Sequence, residues 1–153
     1  MTKTLSVSAI KNGTVIDHIP QGQAFRIMRL LQILDHKSHK VTLGLNLPSK
    51  QLKFKDLIKV ENRVLTSDEA NEVVVFAPKV TISIIKEFEV LEKIKTHLPK
   101  SISNVFVCPN LNCITHYEPA DRLFYIQEQS NRIKLICHYC EKIFDRDQVK
   151  VNI

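Results

Sequence analysis

Only three of the 153 residues are glycine, and they are widely spaced at positions 13, 22 and 44. That scarcity leaves no Gly-rich loop in which successive backbone N–H groups could cradle phosphates. The chain also lacks a G-x-S-x-G nucleophile elbow and an H-E-x-x-H metalloprotease helix. No catalytic apparatus is therefore recognisable. Long apolar runs are missing too: uncharged apolar stretches such as Val80 to Ile85 fall far below the roughly 18 residues of a membrane span. The first residues, MTKTLSVSAIK, have neither the apolar segment nor the small-residue cleavage site of a signal peptide, so a cytoplasmic location is expected, with no membrane partner. Cysteine is absent from the first 107 residues, and all four cysteines then fall within 33. In a reducing compartment such clustered thiols point to metal more often than to disulfides.

The distribution of charge divides the chain as the cysteines do. Residues 1–100 hold 16 Lys+Arg against 10 Asp+Glu, whereas residues 101–153 hold six of each. All the positive excess thus lies in the cysteine-free part, where an anionic partner would be sought. The composition changes near His97-Leu98-Pro99-Lys100-Ser101, giving a linker over 94–103 and two domains, 1–97 and 98–153. There is no low-complexity tract and no repeat of solenoid length.

Periodicity in the first domain is readable. Leu5, Val7 and Ala9 alternate towards Ile10, and Thr14 to Ile19 is a second extended piece. Ala24, Ile27, Met28, Leu31 and Leu34 recur at helical spacing over 22–35. Strict alternation marks a strand over 40–47, and another is predicted over 54–61. Thr66 with Glu69 forms a capping-box signature for a short helix to about Glu72. Val73 to Phe76 and Val80 to Leu91 are β-branched and read as strands. The order is β-α-β-β-α-β, a ferredoxin-like arrangement that hosts many functions. The second domain reads as short strands at 104–107, 123–127, 133–136 and 148–151. The expected class is α+β, with a ferredoxin-like N-terminal domain and a small antiparallel zinc-ribbon-like C-terminal domain. About 50 residues bury little surface, and a structural metal is a common remedy.

The cysteines are spaced Cys108-x4-Cys113-x23-Cys137-x2-Cys140. Two tight loops can aim four sulfurs at one point, the tetrahedral S4 shell of structural zinc. Four protein ligands leave no position for a reactive water, so the predicted Zn2+, one per chain, is structural. Spacing alone leaves iron in a rubredoxin-like site open. His116 and His138 lie near the ligands but read as loop or surface residues, because four thiolates already close the shell. A nucleic-acid-binding zinc ribbon is the competing class of function. It would use Lys and Arg on phosphates and aromatics such as Phe106, Phe124, Tyr125, Tyr139 and Phe144 for stacking. These aromatics sit at strand spacing and suit a core, and the zinc-loaded domain would be net negative. A protein-contact surface fits better.

Several stretches resemble the regulatory chain of bacterial and archaeal aspartate carbamoyltransferase, over about Leu5 to Val149. The most specific are Ala9-Ile10-Lys11, Gly13 to Pro20, Gly44 to Ser49, Lys55 to Lys59, Asn104 to Asn110 and Cys137 to Lys142. The resemblance implies a regulatory subunit without catalytic residues, working in pyrimidine biosynthesis. It implies an effector-binding N-terminal domain for CTP, UTP and ATP, with CTP generally inhibiting and ATP activating. It also implies a homodimer of regulatory chains and a zinc domain docked on the separate catalytic chain. By position, Ala9 and Ile10 would read the base edge, Asp17 the ribose, and His18 and Lys93 the phosphates. Lys59 would meet sugar and base, while Ser83, Phe88 and Val90 would flank the base. Ser83 stands where an asparagine is usual in enteric bacteria, and Phe88 where a tyrosine is usual. The preference among the three nucleotides is thereby left open. The region Asp35–Lys40 is one residue longer than the familiar pattern.

Overall fold

The computed structural model describes residues 8–33 and 39–152. The chain divides into two compact units, Met1–Thr96 and His97–Ile153. No described helix is long and apolar enough to cross a membrane.

The N-terminal unit follows the order β1 (Gly13–Pro20), α1 (Ala24–Leu30), β2 (Val41–Ser49), β3 (Lys53–Glu61), α2 (Ser67–Val73), β4 (Thr81–Lys86) and β5 (Glu89–Ile94). Its sheet runs β2-β3-β1-β4-β5 with every neighbouring pair antiparallel. The first four strands thus have the spatial order of a split βαβ fold, and β5 extends the edge. Right-handed crossovers put both helices on one face. On that face Ile16, Ile58, Ile82 and Val60 are almost wholly buried, together with Ile27 of α1 and Ala70 and Val73 of α2. Gly13 opens β1 with φ of 145°, and a Cβ there would lie 2.0 Å from the carbonyl oxygen of Val60. Only glycine lets β3 pass so close.

Buried among these apolar residues is one carboxylate. Asp56, 1% exposed, accepts the N–H groups of Gly22 (3.0 Å) and Ala24 (3.4 Å) at the start of α1 and that of Asn46 (3.1 Å) in β2. The residue before α1, Gln23, makes no side-chain cap bond, so Asp56 supplies from β3 the acceptor that α1 lacks locally. By contrast α2 caps itself: Glu69 N–H donates to Thr66 Oγ1 (3.1 Å) and Thr66 N–H to Glu69 Oε1 (3.0 Å), the box that the sequence predicts.

In the N-terminal unit four local expectations differ from the structure. Of the first predicted strand, 5–10, Leu5 and Val7 lie outside the described residues, and Ala9 and Ile10 are not in a strand. The first helix occupies 24–30 rather than 22–35, passes into a turn at 31–33, and Leu34 lies outside the described residues. Val73 to Phe76 is no strand. The N–H groups of Val74 to Ala77 turn back to the carbonyls of Asn71, Glu72 and Val73, and the β-branched side chains serve burial instead. Val80 to Leu91 is two strands, because Glu87 and Phe88 adopt φ of 50° and 66° and reverse the chain.

The C-terminal unit has β6 (Ser101–Ser103), β7 (Phe106–Val107), β8 (Leu123–Gln129), β9 (Arg132–Cys137), β10 (Ile143–Asp145) and β11 (Lys150–Val151). They form an antiparallel sheet β10-β9-β8-β6 and a two-stranded ribbon β11-β7. Phe106 and Phe124 meet edge to face at 5.8 Å in its centre, with Leu135 and Val149 buried around them. The predicted strand 104–107 is shortened because Asn104 takes φ of 60°, and 148–151 because 146–148 winds into a 3-10 turn. The fold class is α+β, with both described α-helices in the N-terminal unit.

Asp56→Ala removes three bonds to a carboxylate acceptor and orphans the buried Ala24 N–H, and should cost about 3 kcal/mol of unfolding free energy. Guanidinium denaturation of the N-terminal unit measures it, and a loss below about 1 kcal/mol would contradict the bracing role.

Candidate functional site

Cross-strand neighbours in a sheet share a face, so the register itself sorts the candidate residues. Lys59 pairs with Val15, Val15 with Ser83, and Ser83 with Lys93. This row crosses four strands on the face opposite Ile16, Ile58 and Ile82. Asp17 lies one step further along β1, paired with Thr81, and Val90 lies towards the other end, paired with Ile85.

His18 would point the other way in a regular strand. Its φ of 60° and the register shift between Ile16 and Ile19 form a bulge. The ring consequently returns to the same side, with Nδ1 3.0 Å from Thr81 Oγ1. Asp17 is held by two groups: Lys55 Nζ lies 2.9 Å from Oδ1 and 3.1 Å from Oδ2, and the N–H of His18 donates to Oδ1 at 2.6 Å. Lys59 is 9% exposed and donates from Nζ to the carbonyl of Ser8 at 2.7 Å. The segment carrying Ala9 and Ile10 is thereby pinned to this face, with Ile10 buried and Ala9 exposed. Burial lowers the pKa of Lys59 below the usual lysine range, while the neighbouring Asp17 carboxylate partly offsets the shift.

Eight of the nine candidate effector residues therefore meet on or against one sheet face. Phe88 does not lie on that face: it sits in the β4–β5 turn and is 62% exposed. Lys55 and Thr81, which hold Asp17 and His18, escape a reading of the sequence. Their relation to β1 depends on a register that a bulge alters, and no local pattern announces it.

The second cluster lies wholly within the C-terminal unit. The sulfurs of Cys108, Cys113, Cys137 and Cys140 are all within 4.8 Å of one another. Two of the separations, Cys108 to Cys140 and Cys113 to Cys137, are 3.7 Å. A disulfide needs about 2.05 Å. A tetrahedron with metal–sulfur bonds of about 2.3 Å has edges of about 3.8 Å, so the spacing suits a four-thiolate metal site.

The loops also supply donors to the sulfurs. Backbone N–H groups of Asn110, Thr115 and Lys142 face Cys108, Cys113 and Cys140, and those of Tyr139 and Cys140 face Cys137. Thr115 Oγ1 adds a bond to Cys113 at 3.2 Å. Burial pushes the Cys108 and Cys137 thiols up. At Cys140 burial acts the same way, but the Lys142 N–H, the Asn110 side chain and the neighbouring thiols outweigh it and bring the group to about 7. Donors of this kind favour thiolate, the form that binds metal.

Neither histidine joins the cluster. His116 Nε2 lies 2.8 Å from the Cys108 carbonyl oxygen, and His138 Nδ1 lies 2.7 Å from the Tyr125 hydroxyl. Of the aromatics, Phe106 and Phe124 are core, whereas Tyr125 and Tyr139 are exposed.

Comparison with known proteins bears on both units. Residues 5–97 match the family described as "Aspartate carbamoyltransferase regulatory chain, allosteric domain". Residues 100–150 match "Aspartate carbamoyltransferase regulatory chain, metal binding domain". Among similar curated proteins, one from Chromobacterium violaceum is 48% identical over 149 residues, covering 97% of both chains. One from Tolumonas auensis is 50% identical over 147 residues, covering 96% of this chain and 95% of its own. One from Vibrio cholerae is 47% identical over 145 residues, covering 95% and 93%. All three are named aspartate carbamoyltransferase regulatory chain.

Because protons compete with metal for thiolates, the purified protein should hold about one thiophilic metal ion per chain at neutral pH and release it on acidification. Elemental analysis across a pH series reads this directly. Four thiols that react at once in native protein without a chelator would contradict it.

Proposed function

The chain belongs to the family of aspartate carbamoyltransferase regulatory chains, and from that premise we propose that it senses nucleotides for that enzyme. On this reading CTP, UTP and ATP bind the N-terminal unit, residues 1–97. The C-terminal unit, 98–153, carries a structural Zn2+ and docks on the catalytic chain. Two regulatory chains pair with each other, and the assembly works in the cytoplasm at the control of pyrimidine biosynthesis.

The observation that carries the nucleotide reading is the row of Lys59, Val15, Ser83 and Lys93 across one sheet face, with Asp17 and His18 brought beside it by the β1 bulge. A nucleoside triphosphate needs cations for its phosphates and an acceptor for its ribose. Lys93 and His18 serve the phosphates and Lys59 the sugar and base. A carboxylate offers about four lone-pair positions; Lys55 and the His18 N–H use some of those on Asp17, leaving room for a ribose hydroxyl. Ala9 and Ile10 present backbone to the base edge, Ser83 and Val90 line its surroundings on the same face, and Phe88 flanks them from the β4–β5 turn.

The docking role draws support from the loop between Cys108 and Cys113 and the 3-10 turn after it. They hold Leu111, Ile114 and Tyr117 exposed at 75%, 48% and 72%. Apolar side chains grouped on a metal-braced loop suit a protein interface. Zinc suits four thiolates in a closed shell and contributes rigidity rather than catalysis. Regulation then follows from a difference in nucleotide affinity between two states of the assembly.

Two outcomes are expected. By calorimetry, Lys93→Ala and His18→Ala should weaken CTP or ATP about tenfold or more and the corresponding nucleosides little, since only phosphates lose a charge-assisted bond. Asp17→Ala should weaken both. Equal losses for nucleotide and nucleoside in Lys93→Ala would remove Lys93 from the phosphate site, and binding of an oligonucleotide in place of nucleotides would overturn the reading.

The second outcome separates the units. Cys108→Ala should abolish assembly with the catalytic chain, as seen by sedimentation, whereas Lys59→Ala should assemble normally and respond weakly to nucleotide. Lys59 must be charged to serve an anionic ligand, and its lowered pKa means that the charge is lost on the way up to the ordinary lysine range. Nucleotide affinity should therefore begin to fall at a lower pH in the unmutated protein than in Lys59→Arg. Coincident alkaline limbs would exclude a role for that ammonium.

A further inference from the structure

The turn between β4 and β5 is strained in a way that its own residues do not relieve. Glu87 and Phe88 both have positive φ, 50° and 66°. This is the sign pattern of a type I′ hairpin turn, which selects Asn-Gly or Gly-Gly. A bulky aromatic residue at such a φ is an outlier, and conformations of that kind persist only where surrounding structure over-determines them.

The surrounding structure here is the segment just before β1. Glu87 N–H donates to Asn12 Oδ1 at 3.1 Å, and Phe88 N–H donates to the Lys11 carbonyl at 2.9 Å. Of the two terminal atoms of a side-chain amide only the oxygen accepts, so the orientation of the Asn12 amide is set by the Glu87 N–H. An ion pair of Lys11 and Glu87 at 3.8 Å spans the same gap but is exposed on both sides and adds little. On its other side, the Asn12 carbonyl accepts the N–H of Asn62 at 3.0 Å, which ties the same residue to the end of β3. Asn12 therefore joins three pieces of chain: the segment 8–12, the end of β3 and the β4–β5 turn. Ala9 and Ile10 lie three and two residues before it, and Val90 lies two residues beyond the turn that it holds.

We propose that Asn12 is a positioning residue of the nucleotide site and that its side-chain carbonyl locks the β4–β5 turn against the segment that reads the base. The proposal rests on the nucleotide-binding reading and adds to it a residue outside the candidate contacts. The locked turn keeps Phe88 and Val90 at a set distance from the Ala9–Ile10 backbone, so the clamp governs the base end of the site. Lys93 is five residues beyond the turn residue Phe88 and is held separately by pairing with Ser83, so the phosphate end is insulated from it. Loss of the clamp should thus be felt by the nucleoside portion of a ligand and not by its phosphates.

The test compares full-length Asn12→Ala and Asn12→Asp, the latter keeping an acceptor, with the unmutated chain. Hydrogen exchange at the Glu87 and Phe88 amides reads the clamp. Calorimetry with cytidine or adenosine, CTP and inorganic tripolyphosphate reads the site. In Asn12→Ala the two amides should exchange several-fold faster, and nucleoside and CTP affinities should fall together by about three- to tenfold, the worth of one hydrogen bond. Tripolyphosphate affinity should not move. Asn12→Asp should restore amide protection and nucleoside affinity. The positioning role is refuted if Asn12→Ala binds nucleoside as well as the unmutated chain, if tripolyphosphate weakens in parallel, or if Asp fails to rescue. An unmutated chain that binds no nucleotide at all refutes instead the reading on which the role rests.

Discussion

Strand β1 is hydrogen-bonded along both edges, to β3 on one side and to β4 on the other, and the N-terminal unit is organised by that double pairing. Gly13 begins it by allowing β3 to approach where any side chain would collide. Ile16 and Ile19 then anchor the buried face. Between them the strand carries an irregularity at His18. In an unbroken strand Asp17 and His18 would serve opposite faces. The bulge costs one ladder position and in return puts both polar side chains on the side of Lys59 and Ser83. Chemistry and packing therefore share a strand without competing for the same face.

Asp56 performs the complementary task on the buried side. A carboxylate inside an apolar layer is costly unless its lone pairs are filled, and three backbone N–H groups from two other elements fill them. The helix it braces is only seven residues long and makes no side-chain cap of its own. The bracing thus passes from β3 through α1 to the sheet whose other face bears Lys59 and Lys93.

The C-terminal unit solves a different problem. Its sheet of short strands buries few large side chains, chiefly Phe106, Phe124 and Leu135. Four thiols converge at one end of it, with backbone N–H groups turned towards the sulfurs. Without a metal, thiols so close and so buried gain little from one another. With one, the loops that bear exposed Leu111 and Tyr117 acquire a rigid base. The division of charge along the chain matches this division of labour, since the cationic excess lies in the unit whose polar sheet face suits an anion.

Much of this is written locally. The capping box of Thr66 and Glu69, the alternation of β2 and β3, and the two cysteine pairs depend on residues a few positions apart, so the sequence alone determined them. The long ungapped motifs likewise determined the family. Local composition misled where burial and strand propensity draw on the same residues: Val73 to Phe76 are β-branched or aromatic because they are buried, and they form the end of a helix and the turns after it. The predicted single strand 80–91 breaks at Glu87–Phe88, where neither residue favours a turn. The N–H donors of that turn find their acceptors on Lys11 and Asn12, some 75 positions away. Only the tertiary structure could decide the lateral row from Lys59 to Lys93, the pairing of Asp17 with Lys55 and the capping of α1 by Asp56. Each is a contact between elements distant in sequence whose alignment is set by bulges and by packing against a common core, and no neighbouring residue carries a trace of it.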